Sequence, residues 1–412
     1  MKKKVVVIGG GIIGLSSAYY LHKEGHKVTV IDQTEIIDGA SFVNAGYITP
    51  SHFIPLAAPG MIRTGIKYMF DATSPFYMKP RLDLDFMKWA FLFAKSCSKK
   101  NVTKAMQPIL DINLFGQKMF KEIKASKDFD FHLEHKGLLL AFQETKTEMY
   151  ETEIASKAGE MGLHVERIDK ERLRTMEPNL IAKGAFFYKS DSHTTPSDFM
   201  HSMKEYLKNN EVVFQLKEEV LDIKSSDNQI EIRTDKARYN FDEVVIATGS
   251  WTDKIAKKLH QYIPIQAGKG YAINSLRPSG IQYPTILSEA KVAVTPMDGF
   301  TRFAGTMELS GIDNSLQKKR IKAITNTAKQ YYKNFTFNEQ EIAKATFGFR
   351  PVSPDGMPFI GRLDKNKKVT IATGHAMMGW SLGPATGKLV SEIISAKRTS
   401  INLEPFSVQR FG

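Results

Sequence analysis

Gly9, Gly11 and Gly14, in the run VVVIGGGIIG of residues 5–14, have the residue type and spacing that let backbone amides close on a pyrophosphate. Gly9 permits the tight turn, Gly11 lets amides approach the phosphates, and Gly14 lets a following helix pack on the preceding strand. Asp32 stands 18 residues after Gly14, where a carboxylate can take the ribose hydroxyls of an adenosine. The chemistry implied is the holding of a dinucleotide through Gly9, Gly11, Ile12, Ile13, Gly14, Asp32 and Gln33. Three elements must position these groups: an apolar strand before Gly9, a helix starting near Ile12, and a second strand at Val28–Ile31 that ends on the acid. The helix N-terminus then adds partial positive charge. Three lysines before the apolar run also resemble the start of a secretory leader, but cleavage would delete the glycine loop.

Composition bounds the rest. A chain of 412 residues suggests two or three domains, and 42% hydrophobic with 25% charged residues indicates neither general disorder nor a membrane-spanning protein. The one cysteine, Cys97, excludes an internal disulfide and fits a reducing, cytoplasmic setting. Histidines are scattered without paired ligand spacing, so no metal is expected. A net charge of +13 (57 basic against 44 acidic residues) fits nucleic acid, anionic lipid or an anionic substrate, and also lysines spread over solvated faces. Basic and aromatic residues alternate over 60–104, a pattern that suits a peripheral membrane surface or a cap over a substrate cavity.

The chain has no repeats and predicts interleaved domains. A small-residue loop, SFVNAGYITPSH (41–52), follows the first strand–helix–strand unit, and helical sequence dominates to about residue 125. Residues 131–142 read as a hairpin and 147–161 as a helix. Pro196 opens another helix, and strands are predicted at 211–216, 219–224, 229–233 and 242–247. The last of these, in FDEVVIATGSWT (241–252), ends in a small-residue turn like that after the first strand. It predicts return to the same parallel sheet, with Ala247, Thr248, Gly249 and Trp251 beside the cofactor. Strand-like segments broken by Gly and Pro fill 264–310, a charged helix fits 314–333, and a strand ends at Gly348-Phe349-Arg350. A strand at 368–373 and a helix from about Ser381–Pro384 to Ala396 close the chain.

Several of these segments, in order, resemble the FAD-dependent amino acid oxidases and dehydrogenases: the N-terminal fingerprint, SFVNAGYITPSHFIPLAAPG (41–60), SPFYMKPRLD (74–83), TPSDFM, VVIATGSWT, VAVTPMDGFTRFAGTMEL (292–309), GFRPVSPDGMPFIG (348–361) and TGHAMMGWSLGPATGK (373–388). The 41–60 and 74–83 segments are most similar to bacterial D-amino acid dehydrogenases, including the branch acting on hydroxy-D-proline. The resemblance implies an α/β fold, with an FAD-binding Rossmann-like doubly wound domain (1–50, 191–262 and 346–412) interleaved with an α+β substrate domain on a mostly antiparallel sheet (127–190 and 263–345), plus a helical insertion (51–126). It implies noncovalent FAD and hydride transfer from the substrate α-carbon to the flavin. Arg350 falls at the family's carboxylate-binding position, where a guanidinium fork meets a carboxylate with two hydrogen bonds. Tyr271 is a second candidate for that carboxylate or a wall of the pocket, with His375 near the flavin edge; His52 and Tyr47 are weaker candidates. Ser41, Asn44, Ala45 and Gly46 are expected beside the flavin, Val220 on the adenine side, and Gly374 with the amides of Gly379, Trp380 and Ser381 near the ring's N1 edge.

The activity so implied is oxidative deamination of a D-amino acid, with electrons passed to a quinone or other carrier and a cyclic substrate such as cis-4-hydroxy-D-proline in view. A glycine or sarcosine-type oxidase using oxygen, an RNA-linked flavoprotein and a noncatalytic flavin subunit remain open on the residues alone. No nucleic acid partner is expected. The location implied is cytoplasmic, with peripheral contact at the cytoplasmic membrane face through residues 60–104.

Overall fold

The first strand, Lys4–Ile8, is buried on both faces: Val5 and Val7 enter one core, Val6 and Ile8 the other. A strand that alternates between two cores reads as a continuous apolar run and belongs inside a parallel sheet covered on both sides. The computed structural model, which describes residues 2–60, 76–79, 81–226 and 229–411, shows that sheet. Its strand order is Val213–Leu216, Lys27–Asp32, Lys4–Ile8, Glu243–Ile246, Asn366–Thr373 and Phe359–Leu363. All neighbours run parallel except the last, an antiparallel edge. Helices Ile12–Lys23 and Pro196–Asn209 pack on one face, with Gly379–Ile394 against the first of them. An antiparallel layer of Val220–Ser225, Ile230–Thr234 and Arg238–Phe241 packs on the other. The 242–247 segment returns beside the first strand as expected; the Arg238–Phe241 strand is an addition to the predicted elements.

The C-terminal helix seats itself on the N-terminal one through glycines. A Cβ on Gly383 would overlap Ile12, and one on Gly387 would overlap the backbone of Ser16. A third helix, Lys99–Ser126, is N-capped by the Ser98 hydroxyl and approaches the start of the C-terminal helix at Gly116. Trp380 anchors the junction: its ring packs on Phe120 and Phe199, and its indole Nε1 donates to Thr194 Oγ1 at 2.8 Å. Truncating so buried an aromatic costs about 3–5 kcal/mol.

The second large sheet runs Thr346–Val352, Gln266–Ser275, Phe300–Leu309, Val292–Met297, Thr285–Leu287, Leu138–Phe142, Gly184–Tyr188 and Val165–Ile168, with Phe76–Met78 added beside Phe300–Leu309. It is antiparallel at every joint but two. A doubly wound Rossmann-like region interleaved with a mixed substrate region is therefore the fold, as expected. Three expectations need correction. Residues 131–142 are not a hairpin: Leu133–Glu134 pairs with Ser192–Thr194, while Leu138–Phe142 pairs with Gly184–Tyr188 and Thr285–Leu287. The strand carrying Arg350 continues to Val352, and the last helix starts at Gly379. The reading of residues 61–75 falls outside the described residues.

Candidate active site

Gly9 closes the first strand at φ +101, where a Cβ would lie 2.6 Å from the Ala247 carbonyl oxygen. A Cβ on Gly14 would overlap the Gly9 carbonyl. Both glycines are thus demanded by the protein's own packing. Gly11 is not: its φ is an ordinary −68, and a Cβ there would meet only Ser41 Oγ, at 3.3 Å. Its bareness leaves space at the helix N-terminus, whose first-turn amides lack intrahelical acceptors. Ser41 takes one of them, accepting from Ile12 N at 2.9 Å. Asp32 is locked beside the turn, accepting from Gly10 N at 2.6 Å and from Thr34 N and Oγ1 at 2.7 Å each. Lys217 and Glu218 donate their amides to the Thr34 and Asp32 carbonyls at 3.0 Å, which brings Val220 to the same end; Gln33 is exposed.

The loop from Phe42 to Gly46 is held from behind by its carbonyls. Arg302 Nη1 donates to Phe42 O and Asn44 O at 2.7 Å, Thr295 Oγ1 to Ala45 O at 2.7 Å, and Thr194 N to Gly46 O at 2.9 Å. Asn44 Oδ1 accepts from Gly46 N at 2.9 Å. Arg302 itself is buried, which lowers its pKa to about 10. With its carbonyls clamped, the loop has a fixed surface to lay against a planar ring. Gly348 abuts this loop, since a Cβ there would fall 2.7 Å from both Ala40 Cα and Val43.

Arg350 lies two residues further along the same strand, so it shares a face with Gly348. The antiparallel register pairs Gly268 with Arg350 and Gly270 with Gly348, which leaves three bare positions around one arginine. Its guanidinium crosses the neighbouring strand over Gly270, where a Cβ would overlap it, and Nη1 donates to Thr306 O on the next strand at 2.9 Å. Thr306 sits in a bulge between the pairs Lys269–Glu308 and Tyr271–Gly305, at φ +63, a strained value for a β-branched residue. No described carboxylate pairs with Arg350. Arg350 is only partly exposed, and desolvation by the surrounding protein lowers its pKa to about 10. A buried cation without an anion calls for one.

Tyr271 is not brought to Arg350. The ladder sets it on the opposite face, beneath the Lys269 ammonium with Phe347 and Phe349, and its hydroxyl donates to Glu308 Oε2 at 2.9 Å. Tyr47 is likewise structural, its hydroxyl within 3.0 Å of the Thr285 and Val294 carbonyls. His52 is enclosed beside Ser51, and burial lowers its pKa to about 4.

A sequence profile of FAD dependent oxidoreductases matches residues 4–393. The chain is 31% identical over 403 residues to the D-amino acid dehydrogenase of Helicobacter pylori, covering 95% of each, and 30% identical over 410 residues to that of Vibrio vulnificus, covering 96% and 97%. In structure it is similar to the glycine oxidase of Geobacillus kaustophilus, with a TM-score of 0.79, 19% identity and coverage of 100% and 99%. It is also similar to the L-proline dehydrogenase of P. horikoshii, with a TM-score of 0.73, 19% identity and coverage of 100% and 98%. The chain belongs to the FAD dependent oxidoreductase family.

Its cofactor is therefore FAD, held without a covalent link. The Gly11 cradle, the free helix N-terminus and the clamped 42–46 loop fit that group. Cys97, buried enough to push its thiol up to about 11, is not a thiolate. At the end of the Asn366–Thr373 strand, Gly374 takes φ +82 and His375 is buried with Nε2 2.9 Å from Thr386 Oγ1; Nδ1 has no hydrogen-bond partner. Burial lowers the His375 pKa to about 3, so the ring is neutral. Gly379, Trp380 and Ser381 begin the final helix of the oxidoreductase, and the Ser381 hydroxyl bridges Asn113 Oδ1 and Thr49 N at 2.8 and 3.1 Å. The side chain of Trp380 is core, which leaves only its amide for a ligand. Near the first turn, Thr248, Thr252 and Thr373 form a hydroxyl chain ending on Gly249 O, and Trp251 packs edge-on against Phe349. Sequence reasoning missed Arg302, Thr306 and Gly270. An arginine inside an apolar strand, TRFAG, was the available signal for the first.

Proposed function

We propose that this FAD-dependent oxidoreductase oxidises D-amino acids at the α-carbon to imino acids, which hydrolyse to keto acids, and passes the electrons to a quinone or similar carrier. The observation that carries the reading is the buried, anion-free guanidinium of Arg350, stretched over Gly270 and fixed by Thr306 O. Its second edge is left to grip a substrate carboxylate with paired hydrogen bonds. The D-amino acid dehydrogenases to which the chain is similar over nearly its full length support this substrate class. FAD, when bound, supplies a hydride acceptor. Arg350 orients the α-carbon toward it, the 42–46 loop and the amides of Gly379, Trp380 and Ser381 flank it, and His375 stays neutral beside the last helix. Trp89, fully buried and donating to Val352 O at 2.9 Å, ties the helix Leu84–Ser96 over the Arg350 strand and excludes water. An amine already neutral needs no protein base.

The segments 1–50, 191–262 and 346–412 form the FAD-binding domain in this reading, 51–126 the insertion, and 127–190 with 263–345 the substrate domain. The preferred substrate is cyclic, of the cis-4-hydroxy-D-proline kind. The insertion supports a carrier at a membrane surface: its helix buries Phe86, Trp89 and Phe93 but exposes Leu84, Met87 and Phe91, with Leu82 fully exposed before it and Lys88 and Lys95 alongside. Among the described residues no helix is long and apolar enough to cross a membrane, so contact would be peripheral. The test is an anaerobic absorbance spectrum of the flavoprotein as D-alanine, cis-4-hydroxy-D-proline, glycine, sarcosine and the L-isomers are added singly. Bleaching of the flavin band by D-isomers alone is expected; bleaching by glycine and sarcosine only, or by none, overturns the reading.

A further inference from the structure

His132, Glu134 and His193 converge on the small sheet that joins Leu133–Glu134, Ser192–Thr194 and Tyr47–Ile48. One ligand atom from each lies within 4.8 Å of the others. His193 is fully buried; neither ring nitrogen makes a well-formed hydrogen bond, and the Pro296 carbonyl is the backbone acceptor against the ring. A buried imidazole left so poorly satisfied is rare in a native protein. His193 Nε2 stands 3.5 Å from Glu134 Oε2, and His132 Nε2 stands 3.7 Å from Glu134 Oε1. Both are long for hydrogen bonds, and they reach different oxygens of the one carboxylate, which lies between the two imidazoles.

An outer contact orients one of the three. His132 Nδ1 is 2.9 Å from Thr195 Oγ1, which itself accepts from Asp298 N; a ring that donates there turns a bare Nε2 toward Glu134. Lys136 Nζ, 2.8 Å from Glu134 Oε2, is half-exposed and free to swing out when a cation enters.

We infer that His132, Glu134 and His193 form a zinc-class divalent metal site, two imidazoles and one carboxylate with a fourth position for water. It ties strand Leu133–Glu134 to strand Ser192–Thr194, whose Thr194 holds both Gly46 O and the Trp380 indole. The metal would therefore brace the back of the loop beside the flavin without entering the reaction.

The holoenzyme, dialysed against chelator and then titrated with Co2+, tests the assignment by its visible spectrum. The expected result is the intense d–d absorption of a four-coordinate site, saturating at one ion per chain and displaced by Zn2+. His193→Ala and Glu134→Gln should each weaken Co2+ binding at least 100-fold, while Lys136→Met should tighten it. Zn2+ should raise the Tm of the wild type but not of those two variants. Should a variant not fold, the wild-type spectrum decides alone. Only the pale spectrum of octahedral Co2+, or wild-type binding no tighter than in His193→Ala, overturns the site.

Discussion

The two ends of the active site are built by different means. The phosphate end is made of backbone: Gly9, Gly11, Gly14, Asp32 and Ser41 lie within a 33-residue stretch and act through turns, amides and one carboxylate. The Arg350 end is one side chain held across three antiparallel strands: Arg350 on the first, laid over bare Gly270 on the second and fixed by the Thr306 carbonyl on the third. A site written into one local turn tolerates change elsewhere but little within it. A site written into strand register depends on residues that never touch the ligand.

That contrast is broken most severely at Gly11. Gly11→Val should leave the fold intact, because the protein does not fill the space, yet purify with under a tenth of the flavin; stoichiometric FAD in this variant would refute the cradle. Arg350→Ala comes next, with FAD retained and kcat/KM for the best D-amino acid down about 100-fold, the worth of two charge-assisted hydrogen bonds. Unchanged kinetics would remove Arg350 from the site. Gly270→Ala sharpens the claim about register, since a methyl there displaces the guanidinium without contacting substrate; KM should rise roughly 10-fold. Its failure to shift KM would show that the bare strand is incidental.

Two smaller effects concern the supports. Tyr271→Phe should leave KM within about twofold and lower stability by about 1–2 kcal/mol, through the donor lost to buried Glu308. Asp191, buried and hydrogen-bonded by the Ser51 hydroxyl at 2.5 Å, has its pKa pushed up to about 7 by desolvation. The folded chain then keeps a proton that the unfolded chain releases from about pH 4. Stability contributed by that proton is present at low pH and is lost as pH rises to about 7 and beyond. The Tm should fall between pH 5 and pH 8, and Asp191→Asn should flatten the fall.

Legibility in the sequence follows the same division. The first strand, its helix and the Asp32 strand were readable because each depends on neighbours a few residues away, and the return at 242–247, though it pairs with the distant first strand, repeats that strand's local signal of an apolar run ending in a small-residue turn. The 131–142 segment looked like a hairpin because two apolar stretches flank a glycine; both strands take partners at least 40 residues distant instead. Tyr271 could not be assigned a face, since that needs the register against Phe347 and the bulge at Thr306. His132, Glu134 and His193 escaped for a related reason: two of them are an ordinary alternation along a strand, and the third arrives about sixty residues later.

The glycine-seated contact between helices Ile12–Lys23 and Gly379–Ile394 also sets a schedule. The Gly9–Asp32 region is synthesised long before the helix that completes its surroundings, which is separated from Asp32 by roughly 360 residues. At about 5–20 residues per second, the nascent flavin pocket waits some 20–70 s for its closing wall. Through that interval the Val5–Ile8 strand, apolar on both faces, has no finished sheet to join and needs shelter during synthesis.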